Sequence, residues 1–150
     1  MAKYVYLAGP IRGLTFQGAN QWRTEFAASV YPCITVSPMR GKDNLDREDA
    51  IRDDYKDNLD ANARATLSRD TFDVRNCDML IANLLGAYEV SIGTMIELGM
   101  AHTLHKPIGI VIEPYGNPNE HAWLDQICAF RTPDLDQAAR QVIKYLSAYK

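Results

Sequence analysis

Residues 78–112 read DMLIANLLGAYEVSIGTMIELGMAHTLHKPIGIVI, and the fold class follows from how that run divides. Asp78–Asn83 (DMLIAN) and Pro107–Ile112 (PIGIVI) are short, strongly apolar runs next to turn residues, which predicts two buried strands. After a loop over 84–89, the stretch Val90–Pro107 has a helix signal at each end: Ser91 as N-cap, then His105, Lys106 and Pro107 as stops. Two buried strands linked by a helix predict a parallel strand–helix–strand unit. Within the helix, Ile92, Met95, Ile96, Gly99 and Thr103 share one side. Gly93, Glu97 and Ala101 form an adjacent row of small residues with a single acid. An ordinary Glu at such a site is half-exposed; a buried one must be paired, hydrogen-bonded or functional.

The same alternation extends in both directions. Lys3–Ala8 (KYVYLA) predicts a strand running into Gly9-Pro10. Residues 16–30 then place Trp22, Phe26 and Val30 at helical spacing, and Pro32 closes that helix. Cys33–Val36 is a second short strand, and residues 66–77 (TLSRDTFDVRNC) return to helical spacing. A turn-rich loop over 113–120, a short helix over 122–127 and a fifth short strand over 129–132 follow. Asp134 caps a last helix with Leu135, Ala138, Ala139, Val142, Ile143 and Leu146 as its apolar face. The expected fold is α/β: a single Rossmann-like (flavodoxin-like) domain over 1–150, with a mostly parallel sheet of about five strands flanked by helices. Residues 39–65 break the pattern, with eight acids and five bases between Arg40 and Asp60. Short helical turns are expected there near 47–55, inside a loop that is either functional or a solvated excursion.

Composition narrows the function classes. The chain has 150 residues, 47% apolar and 23% charged, with net charge −3, which suits one packed core and excludes a disordered chain. No basic stripe points to a nucleic-acid polymer. Cys33, Cys77 and Cys128 are odd in number and lack CxxC spacing, so they read as free thiols of a cytoplasmic protein rather than a disulfide frame or zinc site. The N-terminal apolar run is too short for a signal peptide, and no segment approaches a membrane span. His102 and His105 lack an acid or Cys at a supporting spacing, so no metal is expected.

In a parallel sheet of this kind, ligands bind beyond the carboxyl ends of the strands. That rule lines up Gly9–Gly13, the loop after Asn83, the start of the Glu97 helix and the loop after Ile112 along one edge. The loop GPIRG offers backbone amides and Arg12, which suit a phosphate or carboxylate, although a tight turn with a surface Arg has the same sequence. Ser91 begins a helix whose free N–H groups attract an anion. Glu97 follows about 9 Å along the axis, within reach of the sugar C1′ of a nucleotide held at Ser91. Asp70 and Asp73 can be helix-surface charges, and Asp78 at a strand entry is structural. His121 in the late loop is better placed for a ligand than the two helix histidines.

Three segments in order, VYLAGPIRG (5–13), DVRNCDMLIAN (73–83) and SIGTMIELGMA (91–101) followed by Lys106-Pro107, resemble the nucleoside 2-deoxyribosyltransferase superfamily. That superfamily includes 2′-deoxynucleoside 5′-phosphate N-hydrolases. The resemblance implies N-glycosidic bond cleavage with Glu97 as the nucleophile on C1′, Asp70 as the second acid at the leaving base, and Tyr6 hydrogen-bonding near the nucleophile. It implies Ser91 at the sugar 5′ end and Ile11, Arg12 and Gly13 toward a 5′-phosphate, while Gly9, Asn83 and Gly93 are substrate-binding candidates from their place on the converging loops. Pro10 and the long 39–65 loop depart from the family pattern. The implied partners are a nucleoside or nucleotide and a free base. No cofactor is implied. A homodimer or larger homo-oligomer with shared sites is expected, with Asn117, Asn119 and His121 as candidates from a neighbouring subunit's late loop. A non-catalytic nucleotide sensor on the same scaffold is the alternative; it would keep Arg12 and Ser91 but have no need of Glu97, Asp70 and Tyr6 together.

Overall fold

The computed structural model describes residues 1–147. In chain order these form β1 (Tyr4–Ala8), α1 (Phe16–Ser29), β2 (Ile34–Val36), a 3-10 turn (Asp43–Leu45), α2 (Ala63–Asn76), β3 (Met79–Asn83), α3 (Ile92–Thr103), β4 (Ile108–Val111), α4 (Ala122–Ile127), β5 (Phe130–Thr132) and α5 (Leu135–Ser147). The five strands make one parallel sheet in the order β2-β1-β3-β4-β5. This is the flavodoxin-like doubly wound order, whose switch point lies between β1 and β3.

The pleat of β1 decides what each face holds. Val5 and Leu7 pack with Phe26 and Val30 from the first helical layer and with Ala138, Val142 and Leu146 of α5. Tyr6 and Ala8, on the opposite face, pack with Val74, Leu98 and Ala101 of the α2 and α3 layer. The four strand residues Met79–Ala82 are fully buried, and each large one contributes about 1.5–3 kcal/mol of apolar burial. Tyr6 therefore belongs to the α3 side of the sheet by register alone.

Helix ends follow their local chemistry. Asn62 caps α2 by accepting from Ala65 N at 2.9 Å, which starts the helix three residues before the expected 66. Asp134 Oδ1 accepts from Asp136 N and Gln137 N, as expected of a cap. At the end of α3, His105 takes φ 55° while Lys106 N donates to Ala101 O and His105 N to His102 O. That is a Schellman ending with histidine in the left-handed position usually held by glycine.

One expectation needs correction, and two open readings are narrowed. No helical turn forms over 47–55; the 3-10 turn lies earlier, at Asp43–Leu45, where Leu45 is drawn into a small cluster with Ala19, Met39 and Ile51. The 39–65 stretch is largely exposed but tied down: two bonds, Gly13 N to Ile51 O at 2.8 Å and Ile51 N to Leu14 O at 2.7 Å, stitch it to the loop after β1. The Ile92, Ile96, Gly99 and Thr103 side of α3 faces outward, while Thr94, Leu98 and Ala101 are the buried set.

Candidate active site

A cavity of about 590 Å³ opens at the carboxyl ends of β1 and β3, the switch point of the sheet. Its wall includes Gly9, Asn83, Asp70 and Glu97, with Ser91, Gly93 and Thr94 at the start of α3. Glu97 sits on the inner side of α3, one residue before the buried Leu98. Tyr6, fully buried on β1, donates its hydroxyl to Glu97 Oε1 at 3.1 Å. Asp70 reaches the same cavity from α2, where Arg69 holds it at 3.4 Å.

The electrostatics follow from this crowding. Burial, and then the charge of Asp70, pushes the Glu97 carboxyl up to about 8, while the Tyr6 hydrogen bond and the nearby Arg23 and Lys42 charges pull it down. Burial also raises Asp70, against the pull of Arg69 and Lys42. Tyr6 is raised by burial and by Glu97. Burial thus disfavours the charged form of both acids in the cavity, and the charge of Asp70 adds to the rise at Glu97.

Beneath the floor lies Arg23, 2% exposed, which donates to Leu7 O at 3.2 Å, Gly9 O at 3.1 Å and Ala19 O. Burial lowers it to about 10, so it remains cationic at neutral pH. The close approach of chains there restricts residue 9 to glycine: a Cβ would lie 2.8 Å from Asn83 O.

The mouth is polar and exposed. Arg12 bridges Asp53 at 3.4 Å and Glu89 at 3.3 Å. Ser91 Oγ does not cap α3 but lies 2.8 Å from Thr94 Oγ1, so the N–H groups of Ile92, Gly93 and Thr94 have no protein acceptor among the described residues. Ile11 lines the cavity, whereas Gly13 does not; the Tyr88 hydroxyl occupies the place of a Cβ at Gly13.

The late loop stands apart from the cavity of its own chain. Asn117 and Asn119 are buried and do not line the cavity. Asn117 Nδ2 donates to Leu84 O at 2.6 Å and Glu113 Oε2 at 2.7 Å, and Asn119 Oδ1 accepts from Ser91 N at 2.9 Å. Their side chains brace the loops around α3 and are turned inward in their own chain. His121 caps α4 by accepting from Trp123 N at 3.2 Å and also lies outside the cavity. Asp78 accepts from Tyr4 N at 2.8 Å, the structural role expected of it. Among the described residues no group of side chains gathers as a metal site, and no helix is long and apolar enough to cross a membrane. The three cysteines are free.

Sequence reasoning missed Arg23 and Lys42. Arg23 had a signal: it falls four residues after Ala19 and three before Phe26, on the buried stripe of α1. Lys42 had none, because its place depends on how the polar stretch folds back.

A sequence profile of the nucleoside 2-deoxyribosyltransferase family matches residues 5–121. The chain belongs to that family. Membership makes it an enzyme of the N-glycosyl-transferring and N-glycosidase class, with nucleosides and bases as small-molecule partners. No curated protein matches the sequence. Solved structures share the fold at low identity. The 2-deoxyribosyltransferase of Bacillus psychrosaccharolyticus aligns with TM-score 0.65 and 14% identity over 91% of this chain and 90% of its own. BlsM aligns at 0.59 and 20% identity over 97% and 94%. The CMP N-glycosidase BcmB of Clostridium botulinum aligns at 0.55 and 15% identity over 93% and 98%.

Proposed function

We propose that this family member cleaves the N-glycosidic bond of a (2′-deoxy)nucleoside or its 5′-monophosphate through a covalent glycosyl–Glu97 intermediate. The observation that carries this reading is the Tyr6–Glu97 hydrogen bond in a cavity shared with Asp70. One carboxylate oxygen of Glu97 bonds to C1′ as the C1′–N electron pair leaves with the base. With Glu97 ionised for attack, Asp70 in its protonated form delivers a proton to the base. The acceptor, either water or a second base, then loses a proton to Asp70, attacks C1′ and releases Glu97, which is the logic of a retaining glycosidase. At the other end of the cavity, the unpaired N–H groups of α3 and the Ser91 hydroxyl suit the sugar 5′ end, and Arg12 suits a phosphate once it leaves Asp53 or Glu89.

The test is a panel of deoxynucleosides, ribonucleosides and their 5′-monophosphates, incubated with and without an acceptor base and followed by chromatography. Free base or exchanged nucleoside is the expected product. Saturable nucleotide binding without either product would instead mark a sensor.

The resemblance also supports a homo-oligomer, and the α2–α3 face suits its interface. Ile92 is 64% and Leu67 56% exposed, with Ile96 one turn along α3 from Ile92. Leu67, Ile92 and Ile96 also rim the cavity, so a neighbour seated there would border the site. Sedimentation should give a dimer or larger species for the native chain and a monomer for Leu67→Glu; a native monomer would rule this arrangement out.

A further inference from the structure

We infer that Lys42 touches the substrate: its ammonium donates a hydrogen bond to the ring acceptor beside the glycosidic nitrogen of the base (pyrimidine O2 or purine N3) and stabilises the charge that gathers there as the base leaves. This rests on reading the cavity as an N-glycosidic site.

The residue is delivered by the folded part of the polar stretch. A turn with Lys42 N donating to Met39 O at 3.1 Å, and Gly41 at φ 74°, reverses the chain just before the 3-10 turn. Met39 and Leu45 anchor that turn in the small cluster with Ala19 and Ile51. Lys42 is thereby 9% exposed and forms part of the cavity wall with Asp70 and Glu97. Among the described residues no carboxylate lies within ion-pair distance of its Nζ, and no protein acceptor takes its protons. Every other cation at the site is engaged: Arg12 by Asp53 and Glu89, Arg69 by Asp70, Arg23 by three carbonyls, and Arg52 over the Tyr55 ring. An ammonium withdrawn from water without an acceptor is unfavourable, so a ligand atom is the acceptor this position calls for.

The position selects the part of the ligand. Arg69 donates to Pro38 O at 3.0 Å and Arg40 pairs with Asp73 at 2.6 Å, so the turn that carries Lys42 is docked on α2 on either side of Asp70. Lys42 therefore belongs to the Asp70 end, and with the sugar 5′ end at Ser91 the part of a nucleoside left for that end is its base. When Glu97 bonds to C1′, the C1′–N electron pair stays on the base and spreads to O2 or N3. Lys42 keeps its three protons and supplies a hydrogen bond and a charge, while Asp70 supplies the proton that neutralises the base.

Two measurements test this on the native chain, Lys42→Met and Lys42→Arg, after thermal melts confirm folding; Lys42→Gln replaces Lys42→Met if the latter does not fold. In calorimetry, the native protein should bind uracil more tightly than 4-pyrimidinone, or adenine more tightly than 3-deazaadenine, by on the order of 10- to 100-fold. Lys42→Met should erase the difference and Lys42→Arg should keep part of it. In turnover, Lys42→Met should lose more kcat on a nucleoside of 5-methyluracil than on one of 5-fluorouracil, the better leaving base. A binding difference that is absent from the native protein, or that survives in Lys42→Met, overturns the inference, as does an equal loss of kcat on both leaving bases. If the native protein releases no base but its base discrimination disappears in Lys42→Met, the reaction reading falls while Lys42 stands as the residue that contacts the base.

Discussion

At the floor of the cavity, Tyr6, Glu97 and Arg23 sit on regular elements and are held by hydrogen bonds in which the tyrosine and the arginine are buried and Glu97 is partly buried. At its mouth, Arg12, Asp53 and Glu89 meet through exposed side chains carried on loops, at 3.3–3.4 Å. The floor confines charge in a low-dielectric setting, which shifts Glu97 to about 8 and makes each group depend on its neighbours. The mouth leaves charge in water, where a pair is worth little and is easily exchanged for a ligand. Chemistry needs the first setting and admission of substrate needs the second.

The comparison breaks most sharply at Glu97. Glu97→Gln should lower turnover by on the order of 10⁴-fold or more with the fold intact by circular dichroism; near-native turnover would remove Glu97 from the reaction. Tyr6→Phe comes next. Attack requires ionised Glu97, so kcat/KM of the native protein should climb with pH through about 8. Without the hydroxyl that favours the carboxylate, that climb should move to higher pH and activity at neutrality should fall roughly 10- to 100-fold. An unchanged pH profile would uncouple the two residues. Smaller effects belong to the mouth: Arg12→Ala and Ser91→Ala should weaken use of 5′-monophosphates roughly tenfold more than use of nucleosides. Equal losses on both would end the phosphate argument.

Stability should separate the regions in the opposite sense. The folded chain holds the Glu97 proton to about 8, whereas the ordinary value is 4.5. Its contribution is therefore intact below about 4.5 and is lost as pH rises toward and through 8. Glu97→Gln removes that loss, so melting curves should show the variant gaining on the native protein from pH 5 to pH 9. Arg12→Ala, at an exposed pair, should leave the melting temperature almost unchanged at either pH.

These regions also differed in how far the sequence revealed them. β1, β3, α3 and α4 were legible because their apolar runs and end signals are local, and the convergence of Gly9, Asn83 and the start of α3 follows from parallel topology. Tyr6 and Glu97 lie 91 residues apart, and the family resemblance paired them before the register of β1 did. The mouth was less legible. Residues 39–65 have no periodic pattern, and their course depends on Leu45 and Ile51 finding Ala19 and Met39, contacts between distant parts of the chain. Lys42 was hidden for that reason. Asn117 and Asn119 show a role that their sequence did not signal: within their own chain the amides satisfy buried backbone groups and side chains of neighbouring loops.

The loop from Gly9 to Leu14 behaves as a beam fixed at both ends. Arg23 clamps its root at Gly9 O, and the bonds exchanged with Ile51 clamp its far end at Gly13 and Leu14. A lysine could not replace that root clamp, since one ammonium cannot fork across three carbonyls as a guanidinium does. With both supports in place, the exposed Arg12 side chain, held only by surface ion pairs, is the part of the span most easily moved. Rotations of an exposed side chain take picoseconds to nanoseconds, far faster than loop travel, so substrate capture should be limited by diffusion and recognition rather than by a moving gate.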